Sequence, residues 1–168
     1  MSRAFVDEDR HEEPKFVPPR APLPEGVSNY VTENGLKELE RELEEWEQKL
    51  QSLMQEEEKD EREKRLKANF INDSMSLLRE RIATAEVVFA DDQSRDDIRF
   101  GAKVSLKIGN AAKQTLQIVG VDEADVKKKK IAFTSPLARA IIGKKEGEDA
   151  TLKLGGESRP IKILKISY

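Results

Sequence analysis

Leu36, Leu39, Leu43, Trp46, Leu50 and Leu53 recur at alternating three- and four-residue spacings within a run of Glu, Lys, Arg and Gln. That spacing is the seam of an amphipathic helix. Thr32 stands before the run as a candidate cap, and Gly35 is tolerated in the first turn. A second stripe, Ala68, Ile71, Met75, Leu78, Ile82 and Ala85, carries the complementary alternation. Taken in reverse order, Leu36 pairs with Ala85, Leu39 with Ile82, Leu43 with Leu78, Trp46 with Met75, Leu50 with Ile71 and Leu53 with Ala68, and every pair has the same sum of positions. One antiparallel hairpin with its apex at Lys59 to Glu61 satisfies all six pairs. At 1.5 Å per residue, arms of roughly 25 residues reach about 35 to 40 Å. No Gly or Pro interrupts Glu56 to Glu63, so the rival is one long helix in a homo-oligomeric coiled coil. Leu66, Phe70 and Leu77 form a narrower apolar line beside the seam, facing either the C-terminal part of the chain or a partner.

Beyond the polar stretch Ala90 to Asp97 the period changes to two. Val104–Ile108, Thr115–Val119, Lys130–Thr134, Ala150–Leu154 and Arg159–Ile166 alternate apolar and polar residues and predict five strands. Gly109-Asn110, Gly155-Gly156 and the charged stretch Asp122 to Lys129 supply turns. Pro136 to Ile142 predicts one short helix, with Ser135 as its cap, Pro136 at its first position and Gly143 as its stop. The fold class is therefore α+β: an N-terminal antiparallel helical hairpin followed by an antiparallel sheet with one short helix.

The first 29 residues have a third texture. Pro14, Pro18, Pro19, Pro22 and Pro24 lie among charges, which predicts a disordered or polyproline-like arm. The expected divisions are 1–29 for this arm, 30–90 for the hairpin and 97–168 for the β-rich domain. Charged residues make up 38% of the 168 positions and hydrophobic ones 37%, which suits an elongated element better than one large core. The net charge of −3 lacks the basic footprint of an autonomous duplex binder. No apolar run approaches a membrane span, so a soluble, cytoplasmic protein is expected. The absence of cysteine excludes disulfides and thiolate metal sites. His11 is the one histidine, so the usual component of acid/base, nucleophilic and zinc chemistry is missing from any ordered site. An enzyme acting alone is not expected.

Phe100-Gly101-Ala102, then Ile118-Val119-Gly120-Val121-Asp122-Glu123-Ala124-Asp125, then Ser135-Pro136-Leu137-Ala138-Arg139-Ala140-Ile141-Ile142-Gly143 resemble, in order and spacing, the C-terminal domain of the bacterial Gre transcript-cleavage and elongation factors. The resemblance runs from Tyr30 to Tyr168, with the proline-rich arm as an addition. It implies a C-terminal domain of FKBP-like fold that docks at the rim of the RNA polymerase secondary channel. It also implies a coiled-coil arm whose tip acids help hold a magnesium ion at the polymerase's own active centre. On this resemblance the docking residues are Asp122, Glu123, Asp125, Ser135 and Pro136. From the residues alone, the three acids form a turn that is either solvated or suited to basic partner groups, and Ser135-Pro136 starts a helix.

The tip departs from the family. Its usual motif is an acid, two residues, then Glu-Asn-Ala followed by an acid and Tyr; the nearest stretch here, Arg65-Leu66-Lys67-Ala68-Asn69-Phe70, has Arg65 and Ala68 where the acids belong. The apex instead offers Glu57, Glu58, Asp60 and Glu61, with Glu56 and Glu63 beside them. Clustered carboxylates either donate to a hard cation such as Mg2+ shared with the polymerase or keep a turn soluble. Lys127 to Lys130 reads as a solvated strand edge or a phosphate contact.

The resulting expectation is a monomeric, non-enzymatic elongation factor that binds RNA polymerase, meets nascent RNA and DNA only within the elongation complex, needs no cofactor of its own and modulates paused or backtracked complexes. A non-cleaving channel occupant differs from it only at the tip. An FKBP-like isomerase or chaperone needs an aromatic-lined pocket, for which the C-terminal part offers only Phe100, Phe133 and Tyr168. A structural coiled-coil protein would need none of these features.

Overall fold

The computed structural model describes residues 17–57, 60–89 and 96–168. Helix α1, Glu33–Gln55, starts because Thr32 is extended and its hydroxyl accepts the Gly35 N–H at 2.9 Å. It ends where Glu56 turns extended. There the Lys64 ammonium donates to the carbonyls of Met54 and Glu56, at 3.3 and 2.7 Å, closing groups that the last helical turn leaves open. Helix α2, Glu61–Ala83, is capped by Asp60, which accepts from Arg62 N and Glu63 N at 2.9 and 3.2 Å. Two caps a few residues apart turn the chain back on itself, so the hairpin forms within one chain.

The seam follows the two stripes. Toward the apex, Leu53, Ala68, Ile71 and Met75 are buried, with Leu43, Trp46 and Leu50 packed against them. Toward the base, Leu39, Leu78 and Val31 are buried beneath Leu36, Ile82 and Ala85. Ala85 departs from expectation: α2 stops at Ala83, and Ala85 belongs to β2, Ala85–Val87, which pairs in parallel with β1, Asn29–Val31. Three-residue strands are too short for a period of two to show in the sequence.

The sheet contains β3 (Lys103–Ile108), β4 (Gln114–Val119), β5 (Lys130–Ala132), β6 (Asp149–Leu154) and β7 (Glu157–Ser167), in the order β5-β4-β3-β7-β6. Its pairings are antiparallel except β4 with β5, which run parallel. Between Ser105 and Leu106 the partner on β7 jumps from Lys165 to Ile163, which leaves Leu164 as the extra residue of a bulge. Helix α3, Pro136–Ile141, is capped by Ser135, as the sequence predicts, and packs against β5 and β6. Ile98, Val104, Leu106, Ile118, Ile141, Ile161 and Ile163 are fully buried between them. Among the described residues no helix is long and apolar enough to cross a membrane.

Of the disordered or polyproline-like arm expected over residues 1–29, only the part from Val17 is described. Residues 1–16, including His11, lie outside the described residues, as do 90–95 of the polar stretch. From Val17 onward the chain lies against the hairpin. Phe70 meets Trp46 edge-on with ring centroids 6.1 Å apart, and Phe70 and Leu77 line a cavity of about 230 Å³ together with Val17, Pro18 and Pro19. Phe70 and Leu77 of the apolar line beside the seam therefore face the chain's own N-terminal segment. Prolines have little conformational freedom to lose on ordering, which lowers the cost of laying the segment down.

Candidate functional site

The base of the hairpin and the turn after β4 form one polar joint. Asp122 is the hub, its side chain only 7% exposed. One carboxylate oxygen accepts from Arg20 Nε at 2.9 Å, and the other lies 3.2 Å from Arg81 Nε. Arg20 also forks onto both oxygens of Glu42, at 2.9 and 3.0 Å. Burial works against the Arg20 charge, but the hydrogen bonds to Glu42 and Asp122 carry its pKa above the ordinary value. The same hydrogen bond holds the Glu42 carboxyl below the ordinary carboxylate range, against the effect of its burial. Arg81 further donates to the Ala21 carbonyl at 2.6 Å, tying the proline-rich segment to α2.

Glu123 makes the second half of the joint. It is 8% exposed and accepts from the Thr32 hydroxyl at 2.5 Å and from Lys130 Nζ at 2.8 Å. Thr32 thus caps α1 with its oxygen and binds the sheet unit with its proton, both capacities of one hydroxyl. The hydrogen bond to Glu123 raises the Lys130 pKa against the effect of burial. Two glycines let the parts approach: a Cβ on Gly35 would come within 2.6 Å of Glu123 Oε2, and one on Gly120 within 2.6 Å of the Tyr30 carbonyl oxygen. Beside them Tyr30 packs on Phe100 and Phe133, with centroids 6.0 and 5.6 Å apart. Two of the rings an isomerase pocket would need are thereby engaged in the joint. Tyr168 is held by donating to the Asp97 carbonyl at 2.7 Å and accepting from Arg99 N at 3.1 Å.

The residues expected to dock a partner therefore divide. Asp122 and Glu123 face inward and hold the hairpin to the sheet unit. Asp125 is half-buried and accepts from Lys127 N at 2.9 Å, which shapes the turn. Ser135 caps α3, accepting from Ala138 N at 3.2 Å, and Pro136 is exposed beside it. Lys130 belongs to the joint, whereas Lys127, Lys128 and Lys129 are exposed, with Lys129 in the left-handed region at φ 58°. Arg20 and Arg81 escaped sequence reasoning. Neither lies in a periodic pattern, and their shared partner is remote in the chain.

At the apex, Glu57, Asp60 and Glu61 are exposed, and Glu58 lies outside the described residues. One oxygen of Asp60 is already engaged in capping α2. The donors are hard carboxylate oxygens of the kind magnesium accepts. Among the described residues no group of three or more potential ligands is placed to hold a metal. Ala68 is buried in the seam, and Arg65 is exposed on α2.

The family profile described as "Transcription elongation factor, GreA/GreB, C-term" matches residues 93–168. The transcription elongation factor GreA of Hyphomonas neptunium is 40% identical over 103 residues, covering 61% of this chain and 66% of the relative. That of Acidiphilium cryptum is 40% identical over 105 residues, covering 62% and 67%. The matches thus span about two thirds of the length of these relatives. A solved GreA/GreB factor from Nitrosomonas europaea aligns at 20% identity and a TM-score of 0.39, covering 83% of this chain and 98% of that one. At 40% identity over 67% of such a relative, the chain belongs to the GreA/GreB family of transcription elongation factors.

Proposed function

We propose that this chain binds RNA polymerase at the secondary channel, with the sheet unit docked at the rim and the hairpin directed inward, and so modulates paused or backtracked elongation complexes. The observation that carries the reading is the joint. A hairpin fixed to its base by Asp122 and Glu123 holds its apex at a defined distance, about 35 Å for 23-residue helices. An apex on a loose tether would sample many positions and act weakly at any one of them.

In this reading the chain is an accessory factor, monomeric and cytoplasmic, that meets nucleic acid only inside the elongation complex. Asp125, Ser135 and Pro136 supply the docking surface, while Asp122 and Glu123 contribute by shaping it from within. A magnesium ion in the polymerase would supply Lewis acidity and a bound water for phosphodiester hydrolysis. From this chain, the exposed Glu57 and Glu61 are the carboxylates that would give it an oxygen, with Glu58 next to Glu57 in the sequence.

A second reading, occupation of the channel without stimulated cleavage, draws on the burial of Ala68 and the capping role of Asp60. One experiment addresses both. The protein is tested for retention on core polymerase and then incubated with a stalled, backtracked complex, as wild type and as Asp125→Lys with Pro136→Ala. Retention that falls for this variant, but not for Glu40→Lys with Glu47→Lys, supports the docking surface; equal retention removes it. Faster transcript cleavage supports the first reading, and slowed nucleotide addition without cleavage supports the second.

A further inference from the structure

We infer that the outer face of the sheet, centred on Ser105 and flanked by Lys103, Lys107 and Lys165, is a contact surface for the phosphate backbone of a nucleic-acid strand. Charge is divided unevenly along the chain. Residues 97–168 hold 15 Lys and Arg against 8 Asp and Glu, a net of +7, whereas the residues before them hold 15 against 25, a net of −10. The whole-chain value of −3 therefore conceals a basic sheet unit. Most of its acids are occupied. Asp122 and Glu123 are turned into the joint, and Asp149 and Glu157 hold Lys162 and Arg159, at 3.1 Å each. Glu146 and Glu148 accept the backbone N–H groups of Ile166 and Lys145, at 2.7 Å each.

The strands decide where the lysines go. Along β3, Val104 and Leu106 enter the core with Ala138 and Ile141 of α3, so Lys103, Ser105 and Lys107 alternate onto the opposite face. Register adds Lys165 and Thr115 opposite Ser105, one on each neighbouring strand, and Lys162 opposite Lys107. Ser105 is 9% exposed and shares a hydrogen bond of 2.8 Å with the hydroxyl of the exposed Thr115. With Ser105 as the donor in that pair, Thr115 keeps its own proton for an acceptor outside. Between strand positions, Lys165 stands about 5 Å from this centre and Lys103 and Lys107 about 7 Å. Among the described residues none of these three ammonium groups has an ion pair. Lys107 also faces Lys162, whose own counter-ion, Asp149, lies on its far side; two like charges set opposite one another cost stability until an anion joins them.

Three ammonium groups around a hydroxyl donor complement phosphate oxygens. The rings of the sheet unit are engaged elsewhere, Phe100 and Phe133 with Tyr30, and Tyr168 with Asp97 and Arg99. Bases therefore find no ring to stack on, and the contact is indifferent to sequence. A protein partner is usually met by an apolar, aromatic centre poor in lysine, the reverse of this face. With about three phosphate contacts the hold is weak, so the face takes a strand that is already kept close by other means. This inference does not rest on polymerase binding.

The full chain is titrated into a short fluorescein-labelled single-stranded RNA of mixed sequence, and the anisotropy is followed at about 50 and 200 mM salt. Binding should weaken roughly 20-fold between the two, as a slope of about −0.7 per phosphate gives for three contacts on a single strand. Lys103→Gln, Lys107→Gln and Lys165→Gln together should weaken binding about tenfold at the lower salt and flatten the salt dependence. Lys127→Gln, Lys128→Gln and Lys129→Gln remove the same charge from the exposed turn and should leave binding nearly unchanged. Thermal melts of both triple variants show that the sheet unit is intact. The inference is overturned by an RNA that does not bind at the lower salt, or by equal weakening in the two triple variants, which would make the attraction one of net charge. It is also overturned if polyglutamate displaces the RNA as readily as unlabelled RNA does, which would assign the face to an acidic protein. Self-association in light scattering that the first triple variant abolishes would overturn it too, by seating the acidic hairpin of a second copy there.

Discussion

A Cβ built on Gly120 would stand 2.6 Å from the carbonyl oxygen of Tyr30, closer than real Cβ atoms come to any backbone atom. The two residues belong to different parts of the molecule, the end of the sheet's second strand and the strand that leads into the hairpin. The contact is backbone against backbone, so no side chain can swing aside to relieve it. Gly120→Ala should therefore push the hairpin base away from the sheet and cost about 1 to 3 kcal/mol, the usual range for overpacking. A thermal melt checks the cost. Gly35→Ala should be milder, because its obstacle is the end of the Glu123 side chain and alanine favours the helix.

Asp122 should be the most sensitive charged position. Asp122→Ala leaves Arg81, whose side chain is 13% exposed, without its carboxylate, and breaking a buried pair in this way costs about 3 to 5 kcal/mol. Arg20→Ala should cost clearly less, since Arg81 keeps its bond to Asp122. Chemical denaturation of both variants gives the comparison. Equal losses would mean that the proline-rich segment and the hairpin share the joint equally.

Much of this architecture is legible in the sequence because it repeats. Leu39, Leu78 and Met75 announce a seam by spacing alone, and Thr32 and Ser135 announce helix starts by residue type. The joint has no such signature. Arg20 and Asp122 are 102 positions apart, and Thr32 and Glu123 are 91 apart; no local period links them. An acidic turn reads from sequence as a surface for a partner, and only the fold reveals that its first two acids have partners within the chain. The same limit hid β1 and β2, whose pairing joins residues on either side of the whole hairpin.

The seam can be ranked by burial. Leu78 is completely buried, so Leu78→Ala should cost about 2 to 5 kcal/mol through lost transfer energy and the cavity left behind. Trp46 is half-buried, meeting Phe70 edge-on and with the Lys49 ammonium over its ring, and Trp46→Ala should cost less despite the larger side chain. A greater loss at Trp46 would mean that the proline-rich segment seals this ring more completely than the described residues imply.

Glu42 gives the attachment of the proline-rich segment at Arg20 an acid limit. Its folded pKa lies below the ordinary value, so its contribution is present above the unfolded pKa of about 4.3 and is lost as pH falls through the folded value. Trp46 emission followed during acid titration should report release of the segment below that range. Glu42→Gln should weaken this attachment at neutral pH and flatten this part of the profile.

The apex separates structure from action most cleanly. Asp60 has a structural task, accepting two backbone N–H groups at the start of α2, so Asp60→Ala should cost about 0.5 to 2 kcal/mol. Glu57 and Glu61 are exposed, so replacing both by Ala should leave the melting temperature nearly unchanged. On the polymerase the order should reverse. If the apex acts through a shared magnesium ion and the sheet unit carries the docking surface as proposed, Glu57→Ala with Glu61→Ala abolishes stimulated cleavage while retention on the polymerase is kept, so that the loss falls on the chemical step alone. If the apex acts by filling the channel, the double variant slows nucleotide addition as strongly as the wild type does. Single-turnover cleavage and elongation rates, measured on the same stalled complex with saturating factor, decide between the two. A variant that lost retention and activity together would place the acids in docking and remove the apex from both mechanisms.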